Sequence, residues 1–338
     1  MSRGPLPCST SDGAQAAYAV TLADVQAAAA RIVGHARRTP VETCAALDDL
    51  AGCSLFFKCE QLQKVGAFKF RGAANSVLRL DEPTAARGVA THSSGNHAQA
   101  LALAAARRGI PAHIVMPSSA PAVKQRAVAG YGARIVLCEP TLAAREETTR
   151  QFVAETGAAF IHPYDHPDVI AGQGTVALEL LEQVASLDAI IAPVGGGGLL
   201  SGICIAARAL RPGMRIFAAE PAGADDALRS FEAGRIVPQT GPRTIADGLL
   251  TSLGALTWPI LRDHVERVFT VSDDEIISAM RLTWERAKLL IEPSSATAVA
   301  VALCEAFHRD VDAARVGVVL TGGNVDLDRL PWISAAGR

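Results

Sequence analysis

Eight short apolar runs rich in β-branched residues recur along the chain, each closed by turn residues and followed by a helical pattern. They read "SLFFKCE", "GVATHSS", "AHIVMP", "ARIVLCEP", "AIIAPVGGGG", "RIFAAEP", "RVFTV" and "VGVVLTGGN". Between them lie Ala-rich or amphipathic stretches, among them residues 96–108, 167–184 and 273–290. The last opens with a capping box, Ser272 with Glu275 three residues on. Strands alternating with helices call for parallel sheets covered on both faces. Some eight strands in 338 residues predict two packed α/β domains with a cleft between them.

Composition removes several function classes. Hydrophobic residues make up 49% and charged residues 20%, an ordinary globular balance. The net charge of -2, the absence of a basic run and 5% aromatics argue against a nucleic-acid partner. The seven cysteines (Cys8, Cys44, Cys53, Cys59, Cys138, Cys204 and Cys304) are scattered and form no CxxC, as expected of reduced thiols in a cytoplasmic protein. Residues 1–20 lack the firm apolar core of a signal peptide. The longest uncharged stretch, residues 189–207, is broken by four glycines and a proline, so no membrane span is expected.

Lys69 stands between Phe68 and Phe70 in "KVGAFKFRGAANSV". It reads either as an amphipathic lysine with its head in water or as an amine desolvated enough to be neutral and nucleophilic near pH 7. The segment alone favours the first. Three loops bear on the choice. In "PVGGGGLLSG" the glycines Gly195, Gly196, Gly197 and Gly198 follow a strand and open a helix, which suits a phosphate cradle. The loop has neither GxGxxG spacing nor a following Lys-Ser/Thr. In "THSSGNHAQA", Ser93, Ser94 and nearby amides suit a carboxylate and Asn96 a ring oxygen, although Ser and Asn are also ordinary N-caps. In "LTGGNVDL", Thr321 ends a strand beside two glycines, which suits either a ligand hydrogen bond or a plain turn. His97 is equally a base or a structural histidine.

A lysine, a phosphate cradle and a ring-facing asparagine together suit pyridoxal 5'-phosphate. At this point the sequence resembles the fold type II (tryptophan synthase β-like) pyridoxal-phosphate enzymes, and closely the serine racemase and threonine/serine dehydratase (ammonia-lyase) group. "LFFKCE", "GAFKFRGA", "THSSGNHAQAL", "YGARIVLCEP", "IAGQGTVALE", "PVGGGGLLSGI", "AAEP", "TIADGL", "LLIEPSSA" and "TGGNVDL" occur in the group's order and spacing along nearly the whole chain.

The resemblance implies that Lys69 forms the Schiff base with the cofactor and is the base on one face of the substrate Cα. It makes Ser94 the acid/base on the other face, where many biosynthetic threonine dehydratases carry alanine. The glycine loop with Leu199 and Phe68 would bind the cofactor, Asn96 its 3′-oxygen and Thr321 its pyridine nitrogen. A neutral hydroxyl at that nitrogen weakens the electron sink and favours β-elimination over slower carbanion chemistry. Ser93, Gly95, His97, Arg145 and Tyr164 would join Ser94 on the substrate side. The expected reaction is dehydration of a β-hydroxy amino acid (serine, threonine or 3-hydroxyaspartate) to a keto acid and ammonia. Either the cofactor phosphate or Ser94 would protonate the leaving hydroxyl. Proton return to the opposite face would instead give a serine or aspartate racemase. The non-enzyme alternative is a cofactor- or metabolite-binding protein that has lost turnover.

The group's divalent-cation site falls on Glu220, the Ala224 carbonyl and Asp226 in "AAEPAGADDAL", an all-oxygen set suited to Mg²⁺ or Ca²⁺. Departures from the group occur in "HPYDHP", which puts Tyr164 and Asp165 in the substrate-facing segment. They occur also in "ETCAAL", where nucleotide-regulated relatives are serine-rich, so ATP activation is not implied. With no regulatory extension after "TGGNVDL", isoleucine feedback is not expected. The expected architecture is a large cofactor-binding domain of residues 1–79 and 161–338 with a smaller mobile domain of residues 80–160 inserted, in a homodimer.

Overall fold

The computed structural model describes residues 18–120 and 122–333, so Cys8 and nearly all of the leader stretch lie outside the described residues. Ten strands run in chain order as β1 (Val41–Glu42), β2 (Ser54–Cys59), β3 (Val89–His92), β4 (Ala112–Pro117), β5 (Arg134–Cys138), β6 (Ala159–Phe160), β7 (Ala189–Pro193), β8 (Arg215–Pro221), β9 (Arg267–Val271) and β10 (Arg315–Leu320). They form a six-stranded sheet ordered β1-β2-β10-β7-β8-β9 and a four-stranded sheet ordered β5-β4-β3-β6. Every pairing is parallel except β1 on β2. All eight runs picked out in the sequence are strands. β1 and β6 escaped notice because two residues leave no periodicity to read.

The period of two explains how the large sheet is buried on both faces. Ile190, Ala192, Ile216 and Ala218 point into a core closed by the helices Leu22–Ile32, Pro167–Gln183 and Gly198–Leu210. Their neighbours Ala189, Ile191, Phe217 and Ala219 point into the opposite core, closed by Asp273–Leu282 and Pro293–Leu303. There Phe217, Phe269 and Phe307 meet edge to face at 5.4–5.8 Å. The four-stranded sheet has its own core, which takes in Phe70, Ala73, Ala74 and Val77 of the helix Lys69–Arg79. That helix is therefore shared between the two sheets. The 273–290 stretch is not one helix as expected: it turns to a π-helix at Thr283–Ala287 and stops at Lys288, φ 60°. The Trp284 indole donates to the Ile291 carbonyl at 3.0 Å and folds the chain back. The capping box at Ser272 and Glu275 forms as read. Among the described residues no helix is long and apolar enough to cross a membrane.

Glycine contacts hold the functional helices against Pro167–Gln183. A Cβ on Gly172 would lie 2.6 Å from the Gly72 Cα, and one on Gly202 2.5 Å from the Gly174 nitrogen. The lysine helix and the helix behind the glycine loop thus rest on one central helix at backbone distance. Gly172→Ala is expected to cost about 1–3 kcal/mol by overpacking. Gly213→Ala, with nothing within 4 Å, should stay within about 0.5 kcal/mol of the parent. Denaturant unfolding of both variants checks this, and equal stabilities would contradict it.

Candidate active site

The loop before Lys69 is zipped to the loop after β10. Gly323 donates to the Gly66 carbonyl and Phe68 to the Thr321 carbonyl, each at 3.0 Å, around a bridge between Ala67 and Gly322. Val65, a β-branched residue in the left-handed region at φ 57°, shapes the turn, and the Asn324 amide holds its carbonyl at 2.7 Å. Lys69 then opens its helix, with Nζ donating to the Pro163 carbonyl at 2.9 Å and lying 5.1 Å from the Phe68 ring centroid. Burial lowers its pKa to about 8, only partly offset by Glu292. Thr321 is buried at the end of β10.

The glycine loop follows β7. The amides of Gly195 to Leu199 donate to no acceptor among the described residues, and they stand at the N-terminus of the 13-residue helix Gly198–Leu210. Such an array suits a phosphate. Only Gly197 needs glycine for its backbone, at φ 89°. Gly196 and Gly198 are required by close approach instead, because a Cβ on either would strike Tyr164. The residues present therefore fit pyridoxal phosphate: a desolvated amine, unused amides at a helix N-terminus and a hydroxyl at a strand end.

The ordinary N-cap reading of "SSGN" does not hold. The cap of the helix Asn96–Arg108 is Gly95, which makes no side-chain capping bond. Ser93 Oγ accepts from Gly95 at 3.3 Å. The amides of Asn96, His97 and Ala98 find no acceptor among the described residues, which leaves room for a carboxylate beside Ser93 and Ser94. Asn96 donates to Glu292 Oε1 at 2.8 Å and accepts from Asn324 Nδ2 at 2.9 Å, while Asn324 N donates to Glu292 Oε2 at 3.0 Å. Burial and Asp247 raise Glu292 to about 8. Its contact with Asn96 was not foreseen, because 196 residues separate the two.

Burial lowers the pKa of each histidine near these loops. His97 is fully buried against the Ile161 carbonyl at 3.3 Å, and desolvation holds its pKa well below the usual imidazole range, which suits a structural role better than a base. Burial lowers His162 to about 4, and its Nδ1 accepts from Tyr164 N at 3.3 Å and Asp165 N at 2.9 Å. Asp165 does not face the substrate side as expected: its carboxylate accepts from Ala255 and Leu256 at 3.0 and 2.8 Å. The Tyr164 ring packs on Gly196. Arg145, on the helix Leu142–Thr156, is close enough to His92 to help lower its pKa after burial has done most of the work. Its buried Nε has no partner among the described residues.

Glu220 lies near the end of β8, Ala224 in the loop after it, and Asp226 opens the helix Asp226–Ala233. Glu220 accepts from Ala227 at 2.8 Å and Leu228 at 2.9 Å, and Asp226 from Leu253 at 3.2 Å. Both are buried, and burial raises Glu220 to about 8 and Asp226 to about 6. Among the described residues neither buried carboxylate has an ion-pair partner, and such a pair calls for a proton or a hard cation. Among the described residues no three acidic, histidine or cysteine side chains form a metal cluster, so any ion there would lean on carbonyls and water.

A pKa near 8 makes Lys69 an ammonium below that pH and a free amine above it. Competitive labelling with acetic anhydride, read by mass spectrometry on the cofactor-free protein, should give Lys69 a reactivity midpoint near 8. A midpoint above 10, where ordinary lysines titrate, would contradict the desolvated amine.

The chain resembles known proteins over most of its length. A family profile described as "Pyridoxal-phosphate dependent enzyme" matches residues 32–322. The chain is 53% identical over 317 residues to the β-hydroxyaspartate dehydratase of Paracoccus denitrificans, covering 93% of this chain and 99% of that one. It is 51% identical over 316 residues to the serine racemase of Dictyostelium discoideum, covering 93% and 98%. The crystal structure of that racemase superposes with a TM-score of 0.88 over 91% of this chain and all of that one. The crystal structure of a T.th. threonine deaminase superposes with a TM-score of 0.86 at 44% identity, covering 91% and 99%. Matched along almost its whole length, with a desolvated lysine and a phosphate-ready glycine loop in place, this chain belongs to the fold type II pyridoxal-phosphate dependent enzymes.

Proposed function

We propose that the chain is a lyase that removes the β-hydroxyl of a β-hydroxy amino acid, and that a substrate with a second carboxylate, 3-hydroxyaspartate, suits its cleft best. The observation that carries the choice is Arg145, whose guanidinium Nε is buried near His92 with no partner among the described residues. A buried cationic donor is worth most when it meets an anion, about 1.5–3 kcal/mol. The identity to a β-hydroxyaspartate dehydratase supports the same reading.

The cofactor, when bound, supplies the electron withdrawal that acidifies the substrate Cα–H. The amides of Gly195 to Leu199 hold its phosphate, Thr321 meets its ring nitrogen with a neutral hydroxyl, and Asn96 uses its remaining N–H on the ring oxygen. The open N-terminus of the helix Asn96–Arg108, with Ser93 and Ser94, orients the α-carboxylate. Lys69 as a free amine takes the Cα proton. The β-carbon–oxygen bond then breaks with its electron pair on oxygen. That oxygen takes a proton from Ser94 or the cofactor phosphate and leaves as water, and the Cα proton held on Lys69 replaces the one spent. The enamine released tautomerises to an imine, and hydrolysis gives the keto acid and ammonia. Residues 80–160 act as the mobile domain that excludes water, and the 2.6 Å ion pair from Lys124 to Asp247 ties them to the large sheet. A racemase is the second reading, supported by the Ser94 hydroxyl, which has no hydrogen bond among the described residues and would return the proton to the other face.

We place a divalent cation, Mg²⁺ or Ca²⁺, between Glu220 and Asp226, and take the chain to be a homodimer of the cytoplasm. The six described cysteines, all unpaired, support a reducing compartment.

Purified cofactor-loaded protein given serine, threonine and 3-hydroxyaspartate stereoisomers should release keto acid and ammonia fastest from a 3-hydroxyaspartate. Arg145→Ala should raise KM for that substrate roughly tenfold or more and leave serine nearly untouched. Faster turnover of serine or threonine, or an equal loss on all substrates, would contradict the dicarboxylate assignment. Inverted amino acid with little keto acid would establish the racemase. Chelation should lower the thermal midpoint, and a hundredfold excess of Mg²⁺ or Ca²⁺ over its dissociation constant should restore about 2.7 kcal/mol. A midpoint indifferent to both ions would remove the cation from the account.

A further inference from the structure

We propose that Tyr164 is a positioning residue for the cofactor phosphate: its ring is the floor on which the glycine cradle is set. The proposal rests on the cofactor assignment and is independent of which amino acid is the substrate.

A run of four glycines has the largest backbone entropy of any tetrapeptide, so it makes a poor anion site unless other groups hold it in place. Here it is clamped on two sides. On one side, a Cβ on Gly196 would lie 2.2–2.4 Å from Cγ, Cδ1 and Cδ2 of Tyr164, so the Gly196 backbone rests on the ring. A Cβ on Gly198 would lie 2.8 Å from the Tyr164 carbonyl oxygen. On the other side, the Gly196 carbonyl accepts from Thr257 Oγ1 at 2.9 Å and Gly254 N at 3.3 Å. With its carbonyl held there and its Cα on the ring, the peptide cannot rotate, and the amides of the loop stay on the open side.

Tyr164 is itself anchored. His162 Nδ1 accepts its amide, and the two rings meet edge to face at 4.5 Å. Its hydroxyl lies beside Thr251. The adjoining residues extend the device: Asp165 holds the amides of Ala255 and Leu256, and the Pro163 carbonyl takes the Lys69 amine. One strap of four residues, 162–165, therefore sets the lysine amine and the phosphate cradle relative to each other.

The test is a binding titration of cofactor-free protein with pyridoxal phosphate and, in parallel, with pyridoxal, which lacks the phosphate. Tyr164→Ala should weaken pyridoxal phosphate roughly tenfold, the size of one lost preorganising contact, and leave pyridoxal unchanged. Tyr164→Phe should restore the parent value, because the ring and not the hydroxyl forms the floor. Tyr164→Leu, which keeps most of the apolar volume and so protects the fold, should show the same selective loss. Gly196→Ala should also lose phosphate affinity, but add little to Tyr164→Ala, since the ring it strikes is gone. Parental affinity in both Tyr164→Ala and Tyr164→Leu, equal weakening of pyridoxal, failure of Tyr164→Phe to rescue, or additive losses would each overturn the proposal.

Discussion

Two cations two residues apart on one helix meet opposite fates, and the difference organises the site. Arg71 is fully buried and cannot shed its proton, so it has to be neutralised where it stands. Glu60 takes it at 2.7 and 2.8 Å and Glu179 at 2.7 and 2.8 Å, and Glu179 also holds the buried Lys58 at 2.6 Å. Burial alone would lower the arginine's pKa, but the two carboxylates more than reverse it. Removing one member of such a network leaves a bare buried charge, at a cost of about 3–5 kcal/mol. The network ties the lysine helix to β2 and to the helix Pro167–Gln183. Lys69 has no comparable partner. It relieves its desolvation by giving up affinity for its proton, which is what a nucleophilic amine requires. A rigid, fully paired arginine thus holds in place a lysine that is deliberately left unpaired.

The rest of the site follows from where chain ends meet. The loops after β3, β7 and β10 all leave the carboxyl ends of parallel strands, where helix N-termini present unused amides. Two such N-termini, at Asn96 and Gly198, face the same functional region with no acceptors of their own, one suited to a carboxylate and one to a phosphate. Between them the Asn96, Glu292 and Asn324 triangle joins residues from both sheets. Burial favours the protonated form of Glu292, which eases its place there.

Much of this was legible in the sequence wherever the signal is local. The strands were readable because β-branched runs bounded by turns have few other structures available, and the helix Asn96–Arg108 because glycines bracket it, Gly109 at φ 74°. The glycine loop after an apolar strand suggested its chemistry by residue type, whereas Lys69 between two phenylalanines reads by itself as an ordinary amphipathic lysine and takes its role from the other loops and the family resemblance. What stayed hidden is long-range. Nothing near Glu292 says that it reaches Asn96, and nothing in "HPYDHP" says that Asp165 turns away to hold the amides of Ala255 and Leu256. The glycine run reads as a phosphate cradle, and it does not show that Gly196 and Gly198 are glycines because Tyr164 leaves no room for a Cβ. A sequence shows that a residue is small, and only the fold shows which neighbour requires it.

The central claim is that Lys69, unpaired and desolvated, is the residue that holds the cofactor. Borohydride reduction of the cofactor-loaded protein, followed by proteolysis and mass spectrometry, tests it most directly. The account predicts one pyridoxyl group per chain, on the peptide containing Lys69, and none on Lys58 or Lys64. A pyridoxyl group fixed on another lysine, or none fixed at all, would contradict it.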